Sequence, residues 1–150
     1  MPRLQQIRAA AFQPVFRSFR EIVGEASAAR AFATADEEQA ALLDQLCRPD
    51  SSHRMFVAQI VTEIVGFVSL SLNRATGIGE IGLNAVIPSH ARQGIGTRLY
   101  VFALSLMRVE NMRLAMVSTG GDASHAPARR AYAKLGFGAG IPSVTLYKLL

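Results

Sequence analysis

The sequence is poor in cysteine, histidine and lysine, with one cysteine, three histidines and two lysines in 150 residues. A single cysteine cannot form an internal disulfide, and these counts argue against a structural zinc site, so we expect no metal. We interpret Cys47 as a small buried hydrophobic residue at a helix end, with a reactive thiol as the alternative.

Long apolar runs are also absent. None reaches the ~18 residues that would indicate a membrane span. The first residues, MPRLQQIRAAAF, lack the apolar block and the small-residue cleavage site of a secretory signal. These absences predict a cytoplasmic protein that does not associate with a membrane.

Charged residues are scarce at 18%, whereas half of the chain is apolar. A chain of this length and composition can bury one sizeable core, so we predict a single domain over residues 1–150. The sixteen basic residues outnumber the eleven acidic ones, which gives a formal net charge of +5. This excess favours an anionic partner, and nucleic acid and a phosphorylated cofactor both qualify.

The first third of the chain is typical of one strand followed by two helices. Residues 4–9 suit a short first strand. A helix is indicated next by apolar residues at helical spacing, namely Phe12, Phe16, Phe19 and Val23. Thr34 and Glu37 have the spacing of a capping box, which predicts a second helix over the apolar positions 42, 43 and 46.

The middle of the chain changes to β-branched and aromatic residues. Strands are predicted at 55–60, 63–72 and 81–87, with a tight turn near Thr62 and Glu63. Their short connections indicate antiparallel neighbours. A helix then begins at Gly94 and Gly96, and its predicted inner face consists of Ile95, Leu99, Phe102 and Leu106.

A strand at 113–118 and a helix at 126–135 follow. Ser124 is a plausible N-cap of this helix, Pro127 lies near its start, and Gly136 is placed to end it. A final strand is predicted at 141–150. Strands before, between and after helices predict an α+β fold, with a mixed, mostly antiparallel central sheet flanked by helices.

The segment HARQGIGTRLY lies at a junction between a strand and a helix. Free backbone N–H groups at a helix start favour negative charge, and glycines let a phosphate approach the main chain, so this turn is a candidate anion site. It is not a Walker loop, because no Lys-Ser or Lys-Thr pair follows the second glycine, and Leu99 replaces the third glycine of a dinucleotide fingerprint. The alternative is that Gly94 and Gly96 only shape a tight turn.

A second signal, GGDASHAPARRAYAKLGF, follows thirty residues later. Together, the Gly-Ile-Gly turn, its helix, the next strand and a helix ending in Tyr-Ala-Lys-Leu-Gly-Phe resemble the GNAT superfamily of acetyl-CoA-dependent N-acetyltransferases. The resemblance covers nearly the whole chain in element order, and its specific motifs lie between Gly79 and Phe137. It implies the GNAT fold and acetyl-CoA as the acyl donor.

The resemblance also implies a set of cofactor-binding residues. The family's loop pattern is Gln or Arg, two residues, Gly, one residue, then Gly or Ala, and its backbone amides hold the pyrophosphate. This chain departs from it at the first position, which is Ala91, with Arg92 one step later. His125 stands where the family often has asparagine, and it would bind the pantetheine arm or simply cap the helix. The complete set is Asn84, Ala85, Val86, Ala91, Arg92, Gln93, Gly94, Ile95, Gly96, Thr97, His125 and Ala128.

Acetyl transfer to an amine needs a base and an acid. An alkyl amine with a pKa near ~10.4 is protonated at neutral pH, and the departing thiolate benefits from a proton donor. Tyr132 matches the family tyrosine that protonates the leaving sulfur; its alternative role is packing on the inner helix face. Glu80, fourteen residues before Gly94, is the candidate base, because lysine-acetylating members of the superfamily have a catalytic glutamate at this spacing. The alternatives are that Glu80 is a solvated acid beside a turn and that a water relay removes the proton.

Strand alternation would put Glu80, Gly82 and Asn84 on one face, with the glutamate along the acceptor groove. His53 and His90 lie in predicted polar loops and are expected to be surface residues. The strand before the glycine turn is implied to splay from its neighbour, so that its backbone can pair with pantetheine.

The predicted function is direct transfer of an acetyl group from acetyl-CoA to a primary amine, within a ternary complex. Two alternatives stay open: a GNAT-like protein that binds CoA as a regulator, and a basic nucleic-acid-binding module, for which the arginines are too scattered. The acceptor is left open among small amines, amino acids, antibiotics and proteins, and a homodimer is left open as well.

Overall fold

A computed structural model describes residues 1–138 and 140–150 of the chain. Three helices come first: α1 (Pro2–Val23), α2 (Glu25–Ala31) and α3 (Ala35–Leu46). Strands β1 (His53–Ile60), β2 (Glu63–Asn73) and β3 (Ile78–Val86) follow, and then helix α4 (Ile95–Val109), strand β4 (Leu114–Val117) and helix α5 (Ala126–Lys134). Two short 3₁₀ turns, Pro88–His90 and Ala123–His125, precede α4 and α5.

The four strands form one sheet in the order β1-β2-β3-β4. The β1–β2 and β2–β3 pairs are antiparallel, and β3 pairs with β4 in parallel. The parallel pair is made by a crossover through α4, as a parallel connection requires. The predicted fold class, a mixed and mostly antiparallel sheet flanked by helices, is confirmed.

Helices cover both faces of the sheet. On one face, α4 and α5 bury a cluster with the sheet residues Val65, Val68, Leu70 and Ile81; the helices contribute Ile95, Leu99, Tyr100, Ala103, Met107 and Tyr132. On the other face, Leu4 and Ile7 of α1 and Leu43 of α3 pack against Phe67 and Ala85. The sheet is therefore the middle layer of three, and burial of its two apolar faces stabilises the fold.

The predicted first strand at residues 4–9 is wrong, because these residues form the start of α1. In a helix, Leu4 and Ile7 lie three residues apart on one face and both reach the core. The same winding places Arg8, which is 3% exposed, 2.7 Å from Oδ1 of Asp36 at the start of α3. A strand would have put Leu4 and Ile7 on opposite faces and removed one of them from the core.

The predicted final strand is also wrong: residues 141–150 have no regular secondary structure. The side chains of Ile141, Val144 and Leu146 are exposed, and Tyr147 contacts Phe32 of α2 with ring centroids 5.8 Å apart. An alternating pattern forms a strand only where a sheet edge and an apolar face receive it. The four-stranded sheet pairs with no part of this segment.

Two local details differ from the sequence predictions. Thr34 occupies the N-cap position of α3, but its hydroxyl donates to Oε1 of Glu38 at 2.7 Å and no capping box forms. On α4 the inner face is rotated toward Tyr100, Ala103 and Met107, so Phe102 is 45% exposed. Within the described residues, none of the helices has the length and apolar character that crossing a bilayer requires.

Candidate active site

The strands β3 and β4 separate partway along their length. They pair only from Ile78↔Leu114 to Ile81↔Val117, where β4 ends. Beyond that point β3 continues beside β2 alone, with Asn84 opposite Val68 and Val86 opposite Gly66. The stretch from Gly82 to Val86 therefore has one edge free of a neighbouring strand. This is the divergence that the resemblance implies.

A cavity of about 640 Å³ lies where the strands part. It contacts both helical layers, because its lining includes residues of α1, α3, α4 and α5 as well as β3. Of the predicted site residues, the cavity brings together Glu80, Asn84, Val86, Ala91, Arg92, Gly94, Ile95, Gly96, Thr97, His125, Ala128 and Tyr132. Two predicted residues do not line it. Ala85 is buried against α1 on the far side of β3, and Gln93 is exposed.

The glycine turn forms one end of the cavity. Arg92 has a φ of 62° and Gly94 a φ of 76°, so the chain is twice left-handed before α4 begins. Gly94 is the N-cap of α4, and no side chain caps the helix. The first intrahelical donor is Arg98, whose N–H lies 3.0 Å from the carbonyl oxygen of Gly94. The N–H groups of residues 95–97 thus lack intrahelical acceptors and are suited to bind an anion.

The two glycines of the turn serve different purposes. Gly94 is needed for its left-handed backbone, since a side chain there would meet no atom within 4 Å. At Gly96 a Cβ would lie 3.8 Å from Cγ2 of Val86 and 3.9 Å from the hydroxyl of Tyr100, which are ordinary contacts. The missing side chain at Gly96 therefore leaves space at the mouth of the turn rather than avoiding a clash.

Tyr132 lies within a hydrogen-bonded group beside the free edge of β3. Its side chain is buried, and its ring centroid is 4.7 Å from that of Tyr100. Nδ2 of Asn84 lies 3.4 Å from the Tyr132 hydroxyl and 2.9 Å from the carbonyl oxygen of Gly82. The hydroxyl of Tyr100 donates to Oδ1 of Asn84 at 2.8 Å. Burial, followed by the nearby Tyr132 phenol, raises the pKa of Tyr100 above its usual range, so Tyr100 stays protonated.

Tyr100 was missed by the sequence analysis. The predicted apolar face of α4 ran through Phe102 and Leu106, which placed Tyr100 at its border. Its signal was available in the helical spacing of four, three and four residues between Gly96, Tyr100, Ala103 and Met107, which face the cavity and the core.

The end of α5 explains why Leu-Gly-Phe follows the tyrosine helix. Gly136 has a φ of 88°, and its N–H donates to the carbonyl oxygen of Ala133 at 3.1 Å. The N–H of Phe137 donates to the carbonyl oxygen of Tyr132, also at 3.1 Å, which completes a Schellman motif. The motif turns the Phe137 ring onto Tyr132, with centroids 5.7 Å apart. Gly136 thus ends the helix as predicted and helps to hold Tyr132.

Glu80 lines the cavity, but it does not share a face of β3 with Asn84 as predicted. Val68 pairs with Asn84 and Leu70 with Ile81, so β3 has one extra residue between these pairs. Such a bulge inverts the alternation of side chains. Ile81 and Asn84 both face α4 and α5, whereas Glu80, next to Ile81, faces α1. Glu80 therefore approaches the cavity from the layer opposite Tyr132.

His125 belongs to a polar group at the start of α5. Its Nδ1 lies 2.6 Å from Oδ1 of Asp122, and its ring stacks on Phe19 of α1 at 5.9 Å. Asp122 also accepts hydrogen bonds from the Ser18 hydroxyl at 2.8 Å and from the Ser124 hydroxyl and N–H. Although burial raises the pKa of Asp122, these hydrogen bonds from Ser124, His125 and Ser18 hold it well below its usual range.

The predicted capping of α5 is wrong in detail. His125, and not Ser124, occupies the N-cap position, and its side chain makes no capping bond. Asp122 instead caps the preceding 3₁₀ turn by accepting from the Ser124 N–H. The turn fits tightly, because a Cβ at Gly120 would clash with Nδ1 of His125.

The remaining sequence candidates lie as follows. Cys47 follows α3 directly, as predicted, but is only partly buried; desolvation by burial raises the pKa of its thiol. His53 is the first residue of β1 rather than a loop residue, and His90 lines the cavity instead of facing solvent alone. As far as the described part of the chain goes, no three His, Cys, Asp or Glu side chains gather where they would hold a metal ion.

Several solved structures with a similar fold are described as acetyltransferases. A protein from Desulfovibrio desulfuricans that is assigned as an acetyltransferase of the GNAT family aligns with a TM-score of 0.62 and 20% identity, over 92% of this chain and 78% of its own. AAC(6')-Iy in complex with a bisubstrate analogue of CoA aligns with a TM-score of 0.57 and 16% identity, over 77% and 81%. IAA acetyltransferase from Bacillus cereus aligns with a TM-score of 0.55 and 25% identity, over 67% and 61%.

No curated protein sequence matches the chain significantly. The sequence model of the acetyltransferase (GNAT) family matches residues 15–137, which include the C-terminal part of α1, all four strands, the glycine turn and Tyr132. The match covers most of the chain and contains nearly all of the cavity lining. The protein therefore belongs to the GNAT family of acetyltransferases and is an acyltransferase.

Proposed function

We propose that residues 1–150 form one transferase domain that moves the acetyl group of acetyl-CoA to a primary amine by direct attack within a ternary complex. The observation that carries this proposal is the free edge of β3, which lies between the glycine turn and the Tyr132 group in one cavity. The similar fold of AAC(6')-Iy, bound to an analogue that joins CoA to an acceptor, supports one cavity for both substrates.

The donor would bind along two backbone elements. The N–H groups of residues 95–97, at the positive end of the α4 dipole, would hold the pyrophosphate. The exposed side chain of Arg92 adds positive charge at the same end. The free edge of β3 at residues 84–86 would pair with the amide groups of the pantetheine arm, as a peptide strand pairs with a sheet edge.

Glu80 would prepare the amine. It faces the α1 side of the cavity, opposite the Tyr132 side, so an amine and a thioester between them would meet from opposite directions. The carboxylate would hold the ammonium group and then accept its proton, which frees the lone pair for attack. A backbone N–H of β3 would donate to the oxygen that becomes negatively charged.

Tyr132 would protonate the departing sulfur, and its neighbours aim its proton. Tyr100 is protonated and donates to Oδ1 of Asn84, while Nδ2 donates to the Gly82 carbonyl, so the amide has one consistent orientation. Nδ2 therefore donates to the Tyr132 oxygen, and the Tyr132 proton is directed away from Asn84. No covalent enzyme intermediate is required.

Two measurements test this function. Acetyl-CoA should raise the melting temperature of the protein, whereas DNA or RNA of equal charge concentration should not; the reverse result would indicate a nucleic-acid-binding module. With a panel of amines and saturating acetyl-CoA, free thiol should be released in proportion to acetylated amine. Binding of acetyl-CoA without thiol release with any amine would instead indicate a CoA-binding regulator.

A further inference from the structure

The acceptor side of the cavity is apolar. Where α1 and α3 form its wall, the lining side chains are Ala11, Phe12, Val15 and Leu42. Leu83 of β3, on the same side of the sheet, continues this wall. This surface lies on the α1 side of the sheet, opposite the side of α4 and Tyr132, and Glu80 lies on the same side as the wall.

The apolar wall has one carboxylate beside it. Among the described residues that line the cavity, Glu80 alone is acidic. Asp122 lies close by, but its oxygens already accept hydrogen bonds from Ser18, Ser124 and His125. The wall therefore offers one site for a cation, surrounded by apolar surface.

From this arrangement we propose that the acceptor is a monoamine with an apolar body, an alkyl or arylalkyl amine, and not a polycation. The inference rests on the proposed transfer to a primary amine and specifies the chemical class of that amine. The ammonium group is held by Glu80, and the hydrocarbon part lies against Phe12, Val15 and Leu42.

Electrostatic arguments also favour a monoamine over a polycation as the acceptor. A second ammonium group on the acceptor would lie against apolar side chains without a partner, and burying an unpaired charge is costly. The formal net charge of +5 also repels a polycation before it reaches the cavity. A hydrocarbon body instead gains affinity from the wall as each methylene leaves water.

The test compares acceptors at one ionic strength with saturating acetyl-CoA and thiol release as the readout. Methylamine, butylamine, hexylamine and phenethylamine probe the apolar body, and spermidine and kanamycin probe polycations. We expect kcat/KM to rise about three- to fourfold per added methylene up to the length of the wall. Hexylamine and phenethylamine should exceed spermidine and kanamycin by at least tenfold.

A pair of variants isolates the charge of the wall. Leu42 is 43% exposed at the mouth of the cavity, so polar residues are tolerated there. Leu42→Glu adds a second carboxylate, and Leu42→Gln adds a neutral side chain of similar size. Relative to Leu42→Gln, Leu42→Glu should raise the ratio of kcat/KM for spermidine to that for hexylamine about three- to tenfold.

The outcomes separate the two proposals. Higher kcat/KM for spermidine or kanamycin than for hexylamine in the wild-type protein overturns the inference and leaves the transferase function intact. Equal values for methylamine and hexylamine overturn it as well, because the wall then contributes nothing. Intact binding of acetyl-CoA without thiol release from any amine overturns the proposed function itself, and the acceptor class with it.

Discussion

The hydroxyl of Tyr100 lies 2.8 Å from Oδ1 of Asn84, and the amide of Asn84 in turn contacts Tyr132. The two tyrosines come from different helices, α4 and α5, and the asparagine from the free edge of β3. Because burial keeps Tyr100 protonated, the direction of donation runs from Tyr100 through Asn84 to Tyr132. A residue of the core thereby orients the proposed acid.

Tyr132→Phe should lower kcat ~10²–10⁴-fold, the range typical of a lost general acid. The ring that packs on Tyr100 and Phe137 is kept, so the melting temperature and the Kd of acetyl-CoA should stay close to those of the wild type. The measurement is turnover with the best acceptor, under conditions where chemistry limits the rate. Full turnover in this variant would return Tyr132 to a packing role.

Tyr100→Phe should lower kcat about three- to tenfold, the value of one oriented hydrogen bond, with little change in the Kd of acetyl-CoA. In a Tyr132→Phe background the same change should have no further effect on kcat, because Tyr100 acts through Tyr132. Tyr147→Phe, which alters a tyrosine on the exposed tail, is the matched control. Additive losses in the double variant would contradict the proposed orientation.

Gly96→Asp should weaken acetyl-CoA binding more than tenfold, since it places a negative charge against the pyrophosphate at the start of α4. Gly96→Ala should have a much smaller effect, because a Cβ there makes only ordinary contacts. Gly138→Asp adds the same charge at an exposed glycine and controls for net charge. Calorimetric titration measures all three; an unchanged Kd in folded Gly96→Asp places the pyrophosphate elsewhere.

Glu80→Gln should lower kcat/KM at neutral pH and recover part of the loss as the pH rises toward the pKa of the acceptor amine. At high pH the amine is already deprotonated and needs no base. The check is a pH profile of kcat/KM from pH 6 to 10, with Glu37→Gln, at an exposed position of α3, as control. A variant profile parallel to that of the wild type points to proton removal through water.

Asp122→Asn should lower the free energy of unfolding at pH 7 by about 1–3 kcal/mol, because Ser18, Ser124 and His125 lose a charged acceptor. The pKa of Asp122 is lower in the folded than in the unfolded state, so its contribution is complete above the usual aspartate pKa of ~3.9. As the pH falls below that value the contribution is progressively lost toward the lower pKa of the folded state, so the stability difference between the two proteins should narrow. Denaturant unfolding at pH 7 and pH 3 measures this, with exposed Asp50→Asn as control; a constant difference contradicts the assignment.

The sequence predicted those parts of the structure whose conformation depends only on neighbouring residues in the chain. The turn from Arg92 to Thr97 and the end of α5 at Gly136 depend on adjacent residues and helix-start or helix-end chemistry, so the sequence was enough. The side of β3 on which Glu80 lies was not predictable in this way. It depends on a bulge in the pairing with β2, which is a property of two strands and not of one.

The two wrong strands have the same origin. Residues 4–9 and 141–150 both contain apolar residues at spacings that suit a strand, but each lacks a sheet neighbour in the fold. For residues 4–9 the helical alternative also brought Arg8 to Asp36, a contact 28 residues away that no local pattern shows. Tyr100 was missed for a related reason, because its partner Asn84 comes from another element.

The free edge of β3 from Gly82 to Val86 also affects how the protein associates with other chains, because binding of acetyl-CoA would cover this edge. An open strand edge is a template for pairing with other chains, and proteins usually shorten or cover it. Here it is five residues long and ends at a 3₁₀ turn with a proline. A ligand that pairs along this edge covers it as a further strand would. The amide protons on the free side of this edge would then exchange more slowly with solvent, and the donor substrate would protect the protein from aggregation.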